Sequence, residues 1–228
     1  MRTLLLALAI AISSEAANAK SDTTASLPIY QKPITTGITL GVFTGIGING
    51  KIALTEKINV RIGASLFPAS LTREAKIEDV SISAKAKSTF TKIQALGEYR
   101  PFSFSSFRLV AGIAYYATAK VDIDAKPTSG QNYGKIELTP EHIGTLHGNA
   151  NWKGIAPYIG IGLFNSIPSR KFNVNADLGT FYLSRPTITL HGTNLLKGNE
   201  ANEDQLNENM KGYRWLPQLQ LNFNYRIQ

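Results

Sequence analysis

Five charged residues lie on the polar face of segments that otherwise alternate between apolar and polar positions: Arg61, Glu98, Arg108, Asp177 and Arg226. If they share a low-dielectric interior, their guanidinium and carboxylate groups form charge-assisted hydrogen bonds. Two interpretations follow, a gate or narrow ion path and a structural network that fixes strand register. We expect Glu98 to face Arg108 across a hairpin. Asp177 is expected deeper along the strands than the other four.

The three histidines, His142, His147 and His191, are the other residues able to carry out chemistry. A histidine beside a serine or an acidic residue is a common set of catalytic groups in hydrolases. However, a spacing of five does not place His142 and His147 on one helix face, and no Ser-His-acid signature surrounds them. An H-E-x-x-H zinc pattern is also missing. The sequence therefore predicts solvated loop histidines, with no catalytic residue, no metal site and no cofactor.

The glycine-rich stretch GVFTGIGING invites comparison with a phosphate-binding loop. Gly41, Gly45 and Gly47 do not open a helix after a strand, which that motif requires. They are more consistent with strand curvature or close packing. Further glycines share the polar faces with the charges, and Tyr116 and Tyr158 are expected to line the same interior.

Period-two alternation, the signature of a β-strand, runs through most of the chain. In the last segment, RWLPQLQLNFNYRIQ, the residues at every second position from Trp215 to Ile227 are apolar, and most of those between them are polar. Similar rows occur at 58–66, 93–99, 109–115, 155–163 and 172–182.

Short turns at 54–57, 101–106 and 165–170 alternate with long polar connections near 70–80, 121–151 and 191–212. This rhythm is typical of outer-membrane barrels. It predicts an all-β fold, an eight-stranded antiparallel up-and-down transmembrane β-barrel with short periplasmic turns and long extracellular loops. Residues 37–53 are read as two short strands that turn at 43–45, or as one strand preceded by another at 27–35. Short helices are expected at 139–146 and 199–210.

Alternation alone does not say which way the apolar rows point, and a soluble lipocalin-like carrier would turn them inward. An eight-stranded lumen is just wide enough for side chains to fill it, which suits the glycines and charges of the polar faces. Aromatic residues near strand ends suit the girdles at membrane interfaces. We assign this role to Tyr99, Tyr115, Tyr182, Tyr213, Trp215, Phe223 and Tyr225.

The N-terminus resembles a secretory leader: Arg2 precedes an apolar run and an Ala17-Asn18-Ala19 cleavage site. The expected organisation is a signal peptide at 1–19, a tail or partial first strand at 20–36, and an outer-membrane barrel at 37–228. The formal net charge of +8 points to an anionic partner, and export makes nucleic acid an unsuitable one. Lipopolysaccharide phosphates in the outer membrane are the expected partner. The lysines assigned to them are Lys76, Lys85, Lys87, Lys92, Lys120, Lys126 and Lys135.

Several segments, among them GKIALTEKINVRIGASLF, APYIGIGLF and YRWLPQLQLNFNYRI, resemble small eight-stranded outer-membrane barrels, the OmpA-like and OmpW-like proteobacterial proteins, most of them uncharacterised. The resemblance implies a monomer inserted by the barrel assembly machinery. Such proteins usually end on an aromatic residue, whereas this chain ends Ile227-Gln228, so Phe223 and Tyr225 would take over that signal.

The expected function is that of a non-enzymatic protein of the cell outer membrane, with a role in envelope structure, surface interaction or narrow small-solute passage. A lipid-modifying enzyme and the soluble carrier remain the alternatives.

Overall fold

A computed structural model of the chain describes residues 33–77, 80–133 and 136–227. The predicted signal peptide and most of the predicted tail lie outside these ranges, as does Lys135. The strands, in chain order, are β1 (Ile34–Val42), β2 (Gly45–Ala53), β3 (Ile58–Ile77), β4 (Val80–Tyr99), β5 (Arg108–Pro127), β6 (Gln131–Tyr133), β7 (Ile136–Leu138), β8 (Leu146–Asn151), β9 (Gly154–Leu163), β10 (Phe172–Tyr182), β11 (Thr187–Gly192) and β12 (Trp215–Arg226).

Eight of the described strands form a closed antiparallel ring in the order β1-β2-β3-β4-β5-β9-β10-β12, with β12 pairing back onto β1. Closure is seen where Ile38 of β1 lies opposite both Ile48 of β2 and Phe223 of β12. β8 and β11 continue the sheet beyond the ring, β8 on β5 and β11 on β8. The predicted eight-stranded antiparallel barrel is confirmed.

β1 and β2 are two short strands, as favoured from the sequence. They turn at Phe43-Thr44, and Gly45 follows with a φ of 67°. A Cβ on Gly45 would lie 2.1 Å from the Leu66 carbonyl oxygen, so both the left-handed backbone and the close approach require glycine. Residues 34–36, assigned to a tail or partial strand, belong to β1.

The barrel has two different ends. The turn end carries the short connections at 54–57, 100–107 and 164–171 and both ends of the described chain. The opposite loop end differs from the prediction, because two of its three expected long loops are largely strand. β3 and β4 continue as a hairpin to Ile77 and Val80, and β5 continues to Pro127.

The extra length was read as loop because the polarity of the sheet inverts there. Near the centre of the ring the outward residues of β4 are apolar, for example Ile93. Towards the loop end the outward residues are Lys87 and Lys85. The pairing of β4 with β5 shifts register between Thr91 and Lys92 of β4, which leaves Ala117 as an extra residue on β5. This bulge turns the odd-numbered apolar row of β5 from the outer to the inner face.

Both predicted helices are present. α1 (Pro140–Ile143) has Thr139 as its N-cap and stops at Gly144, whose φ is 96°, rather than near residue 146. A 3₁₀ turn at Asn199–Asn202 leads into α2 (Glu203–Met210). None of the described helices is long and apolar enough to cross a membrane.

Candidate functional site

A cluster of buried charges fills the lumen towards the turn end. It consists of Lys51, Arg61, Glu98, Arg108 and Asp177, which reach the interior from five different strands. Each is on the inward side of its strand because the alternate positions are apolar and face outward. Their side chains are 0–3 % exposed where ion pairs form.

The cluster is held by reciprocal ion pairs. Arg61 Nε lies 3.3 Å from Glu98 Oε1, and its Nη1 lies 2.5 Å from Asp177 Oδ2. Arg108 completes the ring, with its Nε 3.6 Å from Glu98 Oε2 and its Nη2 bonded to Asp177. Lys51 Nζ is 3.9 Å from Glu98. Two carboxylates thus hold three cations in the buried interior of the barrel.

Amide side chains add further hydrogen bonds to the cluster. Gln220 and Asn222 donate to Asp177 Oδ2 at 2.9 and 2.8 Å. Asn175 accepts from Arg108 at 2.9 Å. A charge buried in this way is retained only when its partners are both ionic and hydrogen-bonding. The arrangement is suited to fixing the relative positions of strands.

Two register details differ from the expectation. Glu98 lies opposite Val110 rather than Arg108, two residues along, and reaches Arg108 diagonally. A slip of two keeps every side chain on its face, so the residues still meet. Asp177 is not deeper than Arg108, because both lie opposite Gly162 in one row.

The structure brings together four of the five predicted network residues, Arg61, Glu98, Arg108 and Asp177. Arg226, the fifth, is half-buried at the end of β12 and lies opposite Thr35 at the turn end. Lys51 was missed, although it occupies the inward row of β2 with Asn49, and the alternation of β2 was the available signal.

Lys92 was wrongly assigned to the lipid-facing surface. It points into the lumen, 2 % exposed, where its Nζ lies 4.0 Å from the centre of the Phe181 ring and 2.8 Å from Gln218 Oε1. Around it an aromatic layer occupies the lumen between the charge cluster and the loop end. Its rings belong to Phe67, Phe90, Tyr116, Trp152, Tyr158 and Phe181.

The proposed interfacial aromatics fall into two groups by height. Tyr99, Phe223 and Tyr225 lie near the turn end, on β4 and β12. The others, Tyr115, Tyr182, Tyr213 and Trp215, lie nearer the loop end. Tyr182 and Trp215 pack with ring centres 4.7 Å apart, and Arg214 stacks 4.1 Å above Tyr182.

Two of the three histidines lie in strands rather than loops. His191 of β11 is directly opposite His147 of β8, which is directly opposite Asp124 of β5. Nδ1 of His147 lies 2.6 Å from Asp124 Oδ1, and Nδ1 of His191 lies 3.2 Å from Glu200 Oε1. No sequence pattern indicates this juxtaposition, because the pairing of β8 with β11 is non-local.

These histidines border an outward-facing pocket of about 380 Å³. It is lined by Lys87, Asp122, Asp124, His147, Gly148, Asn149, Thr189, Leu190 and His191. His142 lies apart on α1, with its Nδ1 3.2 Å from the Thr139 hydroxyl. Among the described residues, no group of three or more histidine, aspartate or glutamate side chains is placed to hold a metal ion.

The acidic segment at 199–210 covers the free edge of β11. Asn207 accepts from the backbone N–H of Ile188 at 2.8 Å and donates to its carbonyl at 2.9 Å. Glu203 accepts from Leu190 at 2.6 Å. Glu200 accepts from Gly192 at 3.0 Å. Residues 200, 203 and 207 share one helix face, and their spacing matches alternate residues of the strand.

No protein-family model and no curated protein matches this chain. Two crystal structures from Acinetobacter baumannii are similar to it, those of CarO and of CarO2. Both superpose with a TM-score of 0.60 at 18 % identity. The match to CarO covers 85 % of this chain and 97 % of CarO, and that to CarO2 covers 86 % and 99 %. At this identity the similarity establishes the fold, and the specific resemblance to OmpA-like or OmpW-like proteins stays a prediction.

Proposed function

We propose that this protein is a non-enzymatic outer-membrane barrel with a closed lumen. The turn end would face the periplasm, and the sheet at the loop end would be displayed to the exterior. The observation that carries the proposal is a side-chain arrangement inverted relative to a soluble protein, with ion pairs buried in the centre and an apolar band facing outward.

The outward band supports a lipid environment. Ile48 and Ile159, on nearly opposite parts of the ring, are 69 % and 65 % exposed, and similar aliphatic side chains surround the barrel between them. A contiguous apolar surface of this extent is unusual on a soluble monomer. The fold similarity to CarO and CarO2 supports the closed barrel on which this location depends.

The soluble carrier fits the arrangement poorly. A lipocalin-like protein would turn its apolar rows inward around a ligand, whereas here the inward rows hold Arg61, Glu98 and Asp177. The filled lumen likewise supports a closed barrel over a diffusion pore. Narrow passage would require the buried ion pairs and the aromatic layer to move together.

Lysines beyond the apolar band support the lipid partner. Lys85, Lys87, Lys120 and Lys126 project outward from β4 and β5 on the loop-end side of the bulge. In an outer membrane they would lie at the height of the phosphate groups of lipopolysaccharide. The proposal assigns no catalytic role to the histidines. Lipid incubated with the protein should therefore stay uncleaved and unacylated.

Membrane orientation is tested with lysine substitutions on the outward face. Ile159→Lys places a charge in the apolar band, where it costs about 2–4 kcal/mol at mid-depth. We expect it to lower membrane insertion and to reduce the heat resistance of the folded form in micelles. Thr187→Lys, exposed on β11 outside the ring, is the matched control and should behave as the parent. Equal insertion and heat resistance of both variants would show that the apolar band does not face lipid.

A further inference from the structure

His147 and His191 form a cross-strand pair with an uncommon environment. They are directly opposite one another on antiparallel strands, so their side chains leave the same face of the sheet. Such neighbours have Cβ atoms about 4.5–5.5 Å apart, close enough for both rings to reach one small ion. Their side chains are 48 % and 72 % exposed and border the same pocket.

Each ring is oriented by its own carboxylate through Nδ1. Asp124 holds His147 at 2.6 Å and Glu200 holds His191 at 3.2 Å. A neutral imidazole that donates its Nδ1 proton to a carboxylate presents a lone pair at Nε2. This carboxylate–histidine arrangement also fixes the orientation of the ring, and it is the usual support for a metal-ligating histidine.

The carboxylates are themselves held in place. Glu200 accepts hydrogen bonds from the backbone N–H groups of Gly192 and Gly198 at 3.0 and 2.7 Å. Its position is therefore fixed by the segment that covers the free edge of β11. Asp124 sits on β5 directly opposite His147. Both orienting groups therefore belong to the backbone framework rather than to a free loop.

We propose that His147 and His191 together bind a divalent transition-metal ion through their Nε2 atoms, with the remaining coordination positions taken by solvent. Two imidazoles favour ions of the Cu²⁺, Ni²⁺ and Zn²⁺ class over Mg²⁺ and Ca²⁺, which prefer oxygen ligands. The site lies on the exposed sheet outside the ring, so it does not depend on whether the barrel conducts. Its open positions would let the ion exchange with the medium.

Copper binding to the purified barrel in detergent micelles tests the site. The chain has three histidines and no cysteine, which keeps background coordination low. We expect one Cu²⁺ per chain by titration calorimetry, with an electron paramagnetic resonance spectrum split by two imidazole nitrogens. His147→Ala and His191→Ala should each weaken binding at least about tenfold, while His142→Ala leaves it unchanged.

A second variant separates ligation from folding. Asp124→Asn keeps both histidines but weakens the support of His147, and should lower copper affinity by about 10–100-fold. A change in the gel mobility of each variant on heating shows whether the barrel was folded before heating. Absence of copper binding by the folded parent would overturn the proposal. Stoichiometric binding that survives both His147→Ala and His191→Ala would overturn it too.

Discussion

Single side chains decide whether the lumen can hold its charges. Arg108 and Asp177 lie in one row with Gly162 between them, and the guanidinium group lies across the glycine to reach the carboxylate. A Cβ on Gly162 would lie 2.4 Å from Arg108 Nε and 2.5 Å from its Cζ. The absence of a side chain at Gly162 therefore leaves the space in which the ion pair between Arg108 and Asp177 forms.

Gly162→Ala should for this reason destabilise the folded barrel. Arg108 would have to move away from Asn175 and Asp177, to which it is hydrogen-bonded, so we expect a loss of about 1–3 kcal/mol, typical of an overpacked interior. Reversible urea unfolding in micelles, followed by tryptophan fluorescence, measures the change. Gly50→Ala is the matched control, because its Cβ would meet nothing closer than 3.9 Å. Equal stability of the two variants would contradict the role given to Gly162.

Residues 200, 203 and 207 form a cap over the free edge of β11. β11 ends the extension, and an uncovered edge exposes backbone donors to pairing with other chains. Asn207→Ala removes both hydrogen bonds to Ile188. The backbone amide of Ile188 should therefore exchange with solvent faster, by about tenfold for each 1.4 kcal/mol of lost protection. Asn209→Ala, on the same helix but bonded to Gln205, is the control. Unchanged exchange at Ile188 in the Asn207 variant would show that the cap is unimportant.

The same cap should respond to pH through Glu200. Hydrogen bonds from backbone N–H groups, that of Gly192 foremost, lower the pKa of this carboxyl from 4.5 to about 2. Because the folded pKa lies below the unfolded one, the stabilisation is complete above about pH 4.5 and is lost as the pH falls through about 2. Protection factors at Gly192 should decline over that window. Glu200→Gln should abolish the dependence, and a persisting decline in that variant would assign it to another group.

The sequence predicted the ring well because each strand keeps one apolar face along the part that lies within the ring. It failed where that rule changes. Above the bulge at Ala117 the outward residues become Lys120, Asp122 and Asp124, while the odd-numbered row turns inward. Periodicity carries no information on such a change of side, so this region was read as loop. The pairing of His147 with His191 was missed because it joins β8 and β11, which are distant in the sequence.

Along the barrel axis, buried side chains fill the lumen at two successive levels. The ion cluster fills the half near the turn end, and the rings around Lys92 fill the half near the loop end. We expect either layer alone to block the lumen, because an eight-stranded barrel has an interior only as wide as the side chains that fill it. Removing one side chain should thus leave the lumen closed.

Planar-bilayer recording distinguishes a sealed barrel from a channel. We expect no steady discrete conductance from the parent, from Phe181→Ala or from Arg108→Ala, since each single variant keeps one complete layer. The double variant, with both Phe181→Ala and Arg108→Ala, disrupts the ion cluster and the aromatic layer together and should give small, discrete current steps. Gel mobility before and after heating confirms that each variant is folded. Steady steps from the parent would instead support narrow solute passage, and the ion cluster would then be a gate rather than a fixed plug.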